Sequence, residues 1–157
     1  MTAPRRSRAV ASTRADAVGE GRRRVFSGNL LETRYGYCRA VRAGNSIHVS
    51  GTVAVWPDRE CDPDPGVQAR RCLEIIAEAL EELGASPGDV VRTRMFVTSS
   101  EYSEPVGLAH AEFFADAPPA ATMVIVGGLL DPRWKVEIEA DAYCVPARAN
   151  DGESRLK

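Results

Sequence analysis

The chain has 157 residues, 44% of them hydrophobic and 27% charged, with a net charge of −2. That length suits one domain of roughly 100–200 residues, which buries about two-thirds of its unfolded surface and needs no metal or disulfide to fold. The balance is that of a globular protein. It excludes a collagen-like or wholly disordered chain, and no apolar run approaches the ~18 residues that span a bilayer.

Residues 1–24 hold seven arginines against Asp16 and Glu20, a net of +5, which leaves −7 on the remainder. A basic arm is able to touch nucleic acid, but an acidic body repels phosphate. Residues 1–23 are therefore expected to form a disordered basic arm, with nucleic acid not an expected partner. The arm lacks the apolar stretch of roughly 7–15 residues that a secretory signal needs, so the cytoplasm is the expected compartment.

Cys38–Arg42 and Ile47–Ser50 flank the turn Ala43-Gly44-Asn45-Ser46 and predict a hairpin. Gly51 either ends it or permits a close backbone approach. Pro57–Gly66 reads as a loop. Cys72, Ile75, Ile76, Ala79, Leu80 and Leu83 then recur at helical spacing, with Glu74, Glu78, Glu81 and Glu82 on the wet side and Gly84 as the stop. Asp89–Thr98 predicts a strand. Glu101–Ala115 predicts a second helix, its inner face formed by Val106, Ala109, His110, Phe113 and Phe114. Ala121–Val126 is almost continuously apolar and is expected to be a strand buried on both faces. Val136–Val145 alternates and closes the domain, which runs over 24–146 and is followed by a flexible tail over 147–157. The predicted order is β-β-α-β-α-β-β, an α+β or mixed α/β domain. Glu137, Glu139 and Asp141 share one strand face and must meet either water or cations.

Generic motifs name no activity. His110-Ala111-Glu112 matches half of a zinc-deaminase signature, but no P-C-x-x-C follows to complete the metal shell. Phosphate-loop, dinucleotide and serine-nucleophile motifs are missing. Cys38, Cys61, Cys72 and Cys144 contain no C-x-x-C pair and read as reduced, mostly buried thiols. No metal and no cofactor are expected.

Four segments, taken together, resemble the Rid family (reactive intermediate deaminases, also called YjgF or L-PSP endoribonucleases). They are Tyr37–Gly51, ending in V-S-G; Leu83–Val91, with Phe96-Val97-Thr98 after it; Ala111–Phe114, leading to Pro118-Pro119-Ala120; and Val136-Glu137-Ile138-Glu139-Ala140. The resemblance spans about residues 35–145. It implies a chorismate-mutase-like α+β subunit, a mixed sheet packed by two helices, assembled as a homotrimeric barrel with clefts between subunits. It also implies hydrolysis of small enamines and imines to a carbonyl product and ammonia.

Carried over position by position, the resemblance implies that Glu137 handles the proton and the attacking water. Tyr37 and Ser50 match cleft residues, although Tyr35-Gly36 stands where the family has Gly-Pro. The family's carboxylate-gripping arginine falls on Ala121, its helix asparagine on Gly107 and a frequent cysteine on Met123. A methyl group cannot bind a carboxylate, and losing such a partner costs roughly 2–5 kcal/mol. Arg94 and Arg39 are the candidates to replace the cation. One of them would supply the cation or pair with the acidic face of Glu137 and Glu139; the alternative is structural, with Arg92 and Arg94 as outward strand residues forming salt bridges within the trimer. The expectation is thus a diverged enzyme acting on a small-molecule imine or enamine, or else a non-catalytic trimer that binds a small metabolite.

Overall fold

A computed structural model describes residues 21–58 and 60–145. The expected tail over 147–157 and all but the last three residues of the expected arm lie outside the described residues. In chain order the elements are β1 (Arg22–Val25), α1 (Leu30–Tyr35), β2 (Ala40–Ala43), β3 (Ser46–Val53), α2 (Pro65–Glu82), β4 (Val90–Val97), α3 (Ser103–Phe113), β5 (Ala120–Ile125) and β6 (Val136–Tyr143). The six strands make one sheet in the order β1-β2-β3-β6-β4-β5. Only β4 and β5 run parallel; every other pair is antiparallel. This is the expected α+β fold, a mixed sheet with both long helices on one face.

Two elements escape the sequence reading. Strand β1 begins at Arg22, inside the segment read as a solvated arm, and pairs with β2 in the register Arg23↔Arg42. Three consecutive arginines carry no strand signal. What holds them is tertiary: Arg23 donates to Glu82 O at 2.9 Å and Arg42 to Leu83 O at 2.8 Å. Both arginines thereby satisfy carbonyls at the end of α2, whose last turn has no basic residue of its own. Helix α1 has only six residues, too few to show a period. Its ends are made by local chemistry, with the Asn29 side chain accepting from Leu31 N and Gly36 ending it at φ 73°.

The hairpin closes as expected through Gly44 and Asn45 (Gly44 at φ 61°). Helix α2 starts at Pro65, earlier than its apolar stripe, because Asp64 caps it by accepting from Val67 N and Pro65 fits the first turn. Its face of Cys72, Leu73, Ile76, Ala79 and Leu80 packs with Ile47, Ile138 and Ala140 from the sheet into the core.

The expectation for β5 is corrected. Instead of being buried on both faces, the strand is exposed along almost its whole length, with Val124 44% and Ile125 62% exposed. Its apolar run reflects an edge position: β5 pairs with β4 alone, and of its residues Met123 packs against the core, beside Gly107 of α3.

The loops that enter α2 and β6 are joined through one buried polar side chain. Gln68 is fully buried. Its amide nitrogen donates to Asp62 O (2.7 Å) and Arg133 O (3.0 Å), and its carbonyl accepts from Lys135 N (2.8 Å). Gln68→Ala strands all three groups and opens a cavity. It is expected to lower stability by about 2–4 kcal/mol in urea unfolding, with the m-value unchanged.

Candidate functional site

The site is organised by an irregularity in β3. Pairing with β6 shifts register between Val49 and Thr52, so Ser50 and Gly51 bulge out of the ladder. Gly51 thus lies within the strand, which runs on to Val53, and it is the close approach that needs glycine. A Cβ at Gly51 would overlap Glu137 Oε1 and come within 3.0 Å of Glu137 Cδ. The Glu137 carboxylate occupies the space that the missing methyl leaves.

Arg39 braces the same bulge. One terminal nitrogen, Nη2, donates to both Ser50 O and Gly51 O at 2.6 Å. Its buried Nε has no hydrogen-bond partner. Ser50 Oγ donates to Cys38 O at 2.8 Å, which ties the bulge to the segment that carries Tyr37. The structure therefore brings together four of the five candidate residues, namely Glu137, Arg39, Ser50 and Tyr37. Burial pushes the Glu137 carboxyl above its usual range and Glu139 adds to this, while Arg39 opposes both. Burial in turn lowers the Arg39 guanidinium, which Tyr37, Glu32 and Glu137 partly restore.

Arg94 sits elsewhere on the same sheet face. Its guanidinium lies 3.1 Å from Asp141 and 3.5 Å from Glu139, and Asp141 also meets His48 Nδ1 at 2.7 Å. Glu139 and Asp141 of the acidic row on β6 are thus answered by Arg94 from β4, and Asp141 also by the His48 imidazole from β3. Ala121 stands beside Thr93 on β4. Thr93 is fully buried on the helix side, where its hydroxyl lies 2.8 Å from His110 Nε2. Strand β4 separates Ala121 from β6, and alternation along the strands puts Glu137 on the opposite face. One subunit does not bring the two positions together. His110 packs on Phe114 with ring centroids 4.7 Å apart, the helix-face role expected of it, and burial keeps its imidazole below the ordinary value.

Beside Tyr37 lies an open hollow of about 360 Å³ between β1, α1 and the segment entering β2. The sequence reading missed it, because Arg24 and Glu32, which line it, come from elements that carry no pattern. Among the described residues no group of three or more His, Cys, Asp or Glu is placed to hold a metal, and no helix is long and apolar enough to cross a membrane.

The comparisons with known proteins agree with this architecture. The profile of the family described as endoribonuclease L-PSP matches residues 27–144. An uncharacterized protein of Streptomyces coelicolor is 37% identical over 127 residues, which is 80% of this chain and 95% of that protein. A RutC family protein of Pyrococcus abyssi is 32% identical over 68% of this chain and 85% of its own. The crystal structure of a Mycobacterium tuberculosis member of the YjgF/YER057c/UK114 family superposes with a TM-score of 0.73 at 41% identity, covering 78% of this chain and 99% of that one. The Escherichia coli YjgF product gives 0.65 at 34% identity, covering 68% and 87%. The chain belongs to the L-PSP endoribonuclease family, the YjgF or Rid fold group whose resemblance the sequence carries.

Two consequences of the Glu137 environment are measurable. A carboxyl raised in the folded state contributes stability below its unfolded value, and that contribution is lost as pH rises through the folded one. Glu137→Gln, which stays neutral, is therefore expected to gain stability relative to the parent between pH 4 and pH 7, read from paired denaturant midpoints. Arg39→Gln removes the opposing cation, and the Glu137 carboxyl is expected to titrate still higher, as followed by carbon-detected NMR of its side chain.

Proposed function

We propose that this protein transforms a small reactive imine or enamine, by hydrolysis, in a cleft between the subunits of a homotrimer. The observation that carries the reading is the half-buried Glu137 carboxylate, set over Gly51 and electrostatically coupled to Arg39. A carboxyl that burial makes hold its proton more tightly than usual is better suited to passing a proton in either direction. Water adds to the imine carbon while Glu137 takes its proton. The nitrogen receives that proton to give a carbinolamine; the hydroxyl proton then passes through Glu137 to the nitrogen as the carbon–nitrogen bond breaks, and ammonia leaves a carbonyl product. An enamine first gains a proton at carbon to become the imine.

Tyr37 and Ser50 shape the cleft in this reading. Of the two replacement cations, Arg39 is the better placed to orient an anionic group or intermediate beside Glu137, since Arg94 is held by Asp141 and Glu139. Assembly is supported by the exposed apolar residues Val91, Val124, Ile125 and Leu130 on and beside the β5 edge, because a bare strand edge invites a second chain. It would also give the cleft the faces that one subunit keeps apart. The cytoplasm is the compartment this reading assumes. A second reading, a trimer that binds a small metabolite without turning it over, is favoured by one observation: Ala121 offers a methyl where relatives of the resemblance grip a carboxylate.

Release of ammonia and keto acid from freshly generated 2-aminoacrylate and longer-chain imines separates the two. Catalysis is expected to fall by about 100-fold or more in Glu137→Gln while the assembly persists. Background rates for the parent protein across the panel would select the binding reading.

A further inference from the structure

We propose that Arg24 and Tyr37 form a cradle for a small monocarboxylate in the hollow between β1, α1 and the segment entering β2. The inference deepens the functional reading and rests on it in one respect, that the carboxylate is the anionic end of the same small ligand. The hollow, at about 360 Å³, falls at the lower end of the roughly 300–1,000 Å³ found for small-molecule sites. It suits a ligand of few atoms.

Its chemistry is one-sided. Arg24 is half-buried at the wall, and among the described residues its guanidinium has neither hydrogen bond nor ion pair. The one carboxylate in the lining, Glu32, does not neutralise it. Glu32 is 4% exposed and already accepts from Ser27 N at 3.0 Å, Ser27 Oγ at 2.8 Å and Gly28 N at 3.2 Å. Its charge is spent on shaping the entry to α1. Arg24 therefore keeps its two-pronged donor face for a ligand, and a planar carboxylate fits that face in a bidentate manner. The positive field is felt across the hollow, since Arg24 opposes the effect of burial on the Cys38 thiol.

Tyr37 supplies the second donor. It is 36% exposed, lines the same hollow, and its hydroxyl has no hydrogen-bond partner among the described residues. Phe26 and Gly36 complete an apolar wall for the ligand's body. Tyr37 acts electrostatically on Arg39, and so does Glu137, so Tyr37 links the hollow to the bulge site. In this proposal Arg24, a residue whose surroundings read as a solvated basic arm, supplies the carboxylate grip that Ala121 lacks, while Arg39 acts at the bulge beside Glu137.

Benzoate titrated into the full chain at fixed ionic strength, followed by proton–nitrogen NMR, tests this without any turnover. Benzamide, the neutral twin, is expected to bind at least about tenfold more weakly, and Arg24→Gln to weaken benzoate by about tenfold or more. Tyr37→Phe, which leaves β1 untouched, should cost a few-fold, and Arg24→Lys should fall between the parent and Arg24→Gln. Equal binding of benzoate and benzamide, or parent-like benzoate binding by Arg24→Gln, overturns the inference; so does an unchanged affinity in Tyr37→Phe should Arg24→Gln not fold. Arg24-dependent benzoate binding with no imine turnover would sink the functional reading and leave the carboxylate cradle standing. Glu137-dependent turnover with Arg24-independent binding would do the reverse.

Discussion

The arrangement depends on a steric exclusion at one backbone position. Glu137 can lie across β3 only because residue 51 has no side chain. The bulge then offers two carbonyls, Ser50 O and Gly51 O, to one side, and Arg39 takes both. A carboxylate and a guanidinium are drawn to the same two residues from opposite directions. Neither is fully solvated, and each shifts the other's titration. A regular β3 would pair continuously with β6 and would have no carbonyls free for a side chain.

Around that point the polar groups on the sheet's outer face divide into two sets. One set is self-contained: Arg94, Asp141, Glu139 and His48 compensate one another. The other set is left short of partners. Glu137 is only partly balanced by Arg39, Arg39 has a buried Nε without an acceptor, and Arg24 holds no anion among the described residues. Uncompensated charge in a concave place is costly unless a ligand uses it. That contrast, more than any motif, is what supports the proposed placement of the functional surface at the Tyr37 end of the sheet.

Much of this was legible in the sequence, for identifiable reasons. The stripe of α2, the alternation of β6 and the Gly44-Asn45 turn each repeat a local period or use a residue suited to a local conformation. The acidic row was visible because alternation is enough to place three side chains on one face. β1 and α1 were not legible. Arg22-Arg23-Arg24 becomes a strand only because the carbonyls ending α2 lie within reach of Arg23, and α1 is shorter than two turns. The apolar run of β5 was visible, but its burial was misjudged. Periodicity reports which residues avoid water, and here the single subunit leaves them facing it.

By itself the sequence determined the fold class, the family and the candidates Glu137, Tyr37, Ser50, Arg39 and Arg94, because those follow from local pattern and from residue identity at matched positions. It also showed the loss of the arginine at Ala121. Tertiary structure alone decided which cations were already engaged. Arg94 is held by carboxylates two strand positions apart on β6, Arg39 is turned to the bulge carbonyls 11 and 12 residues away, and Arg24 is left unpaired at a hollow. Such partnerships depend on distances through space, and no spacing along a chain encodes them.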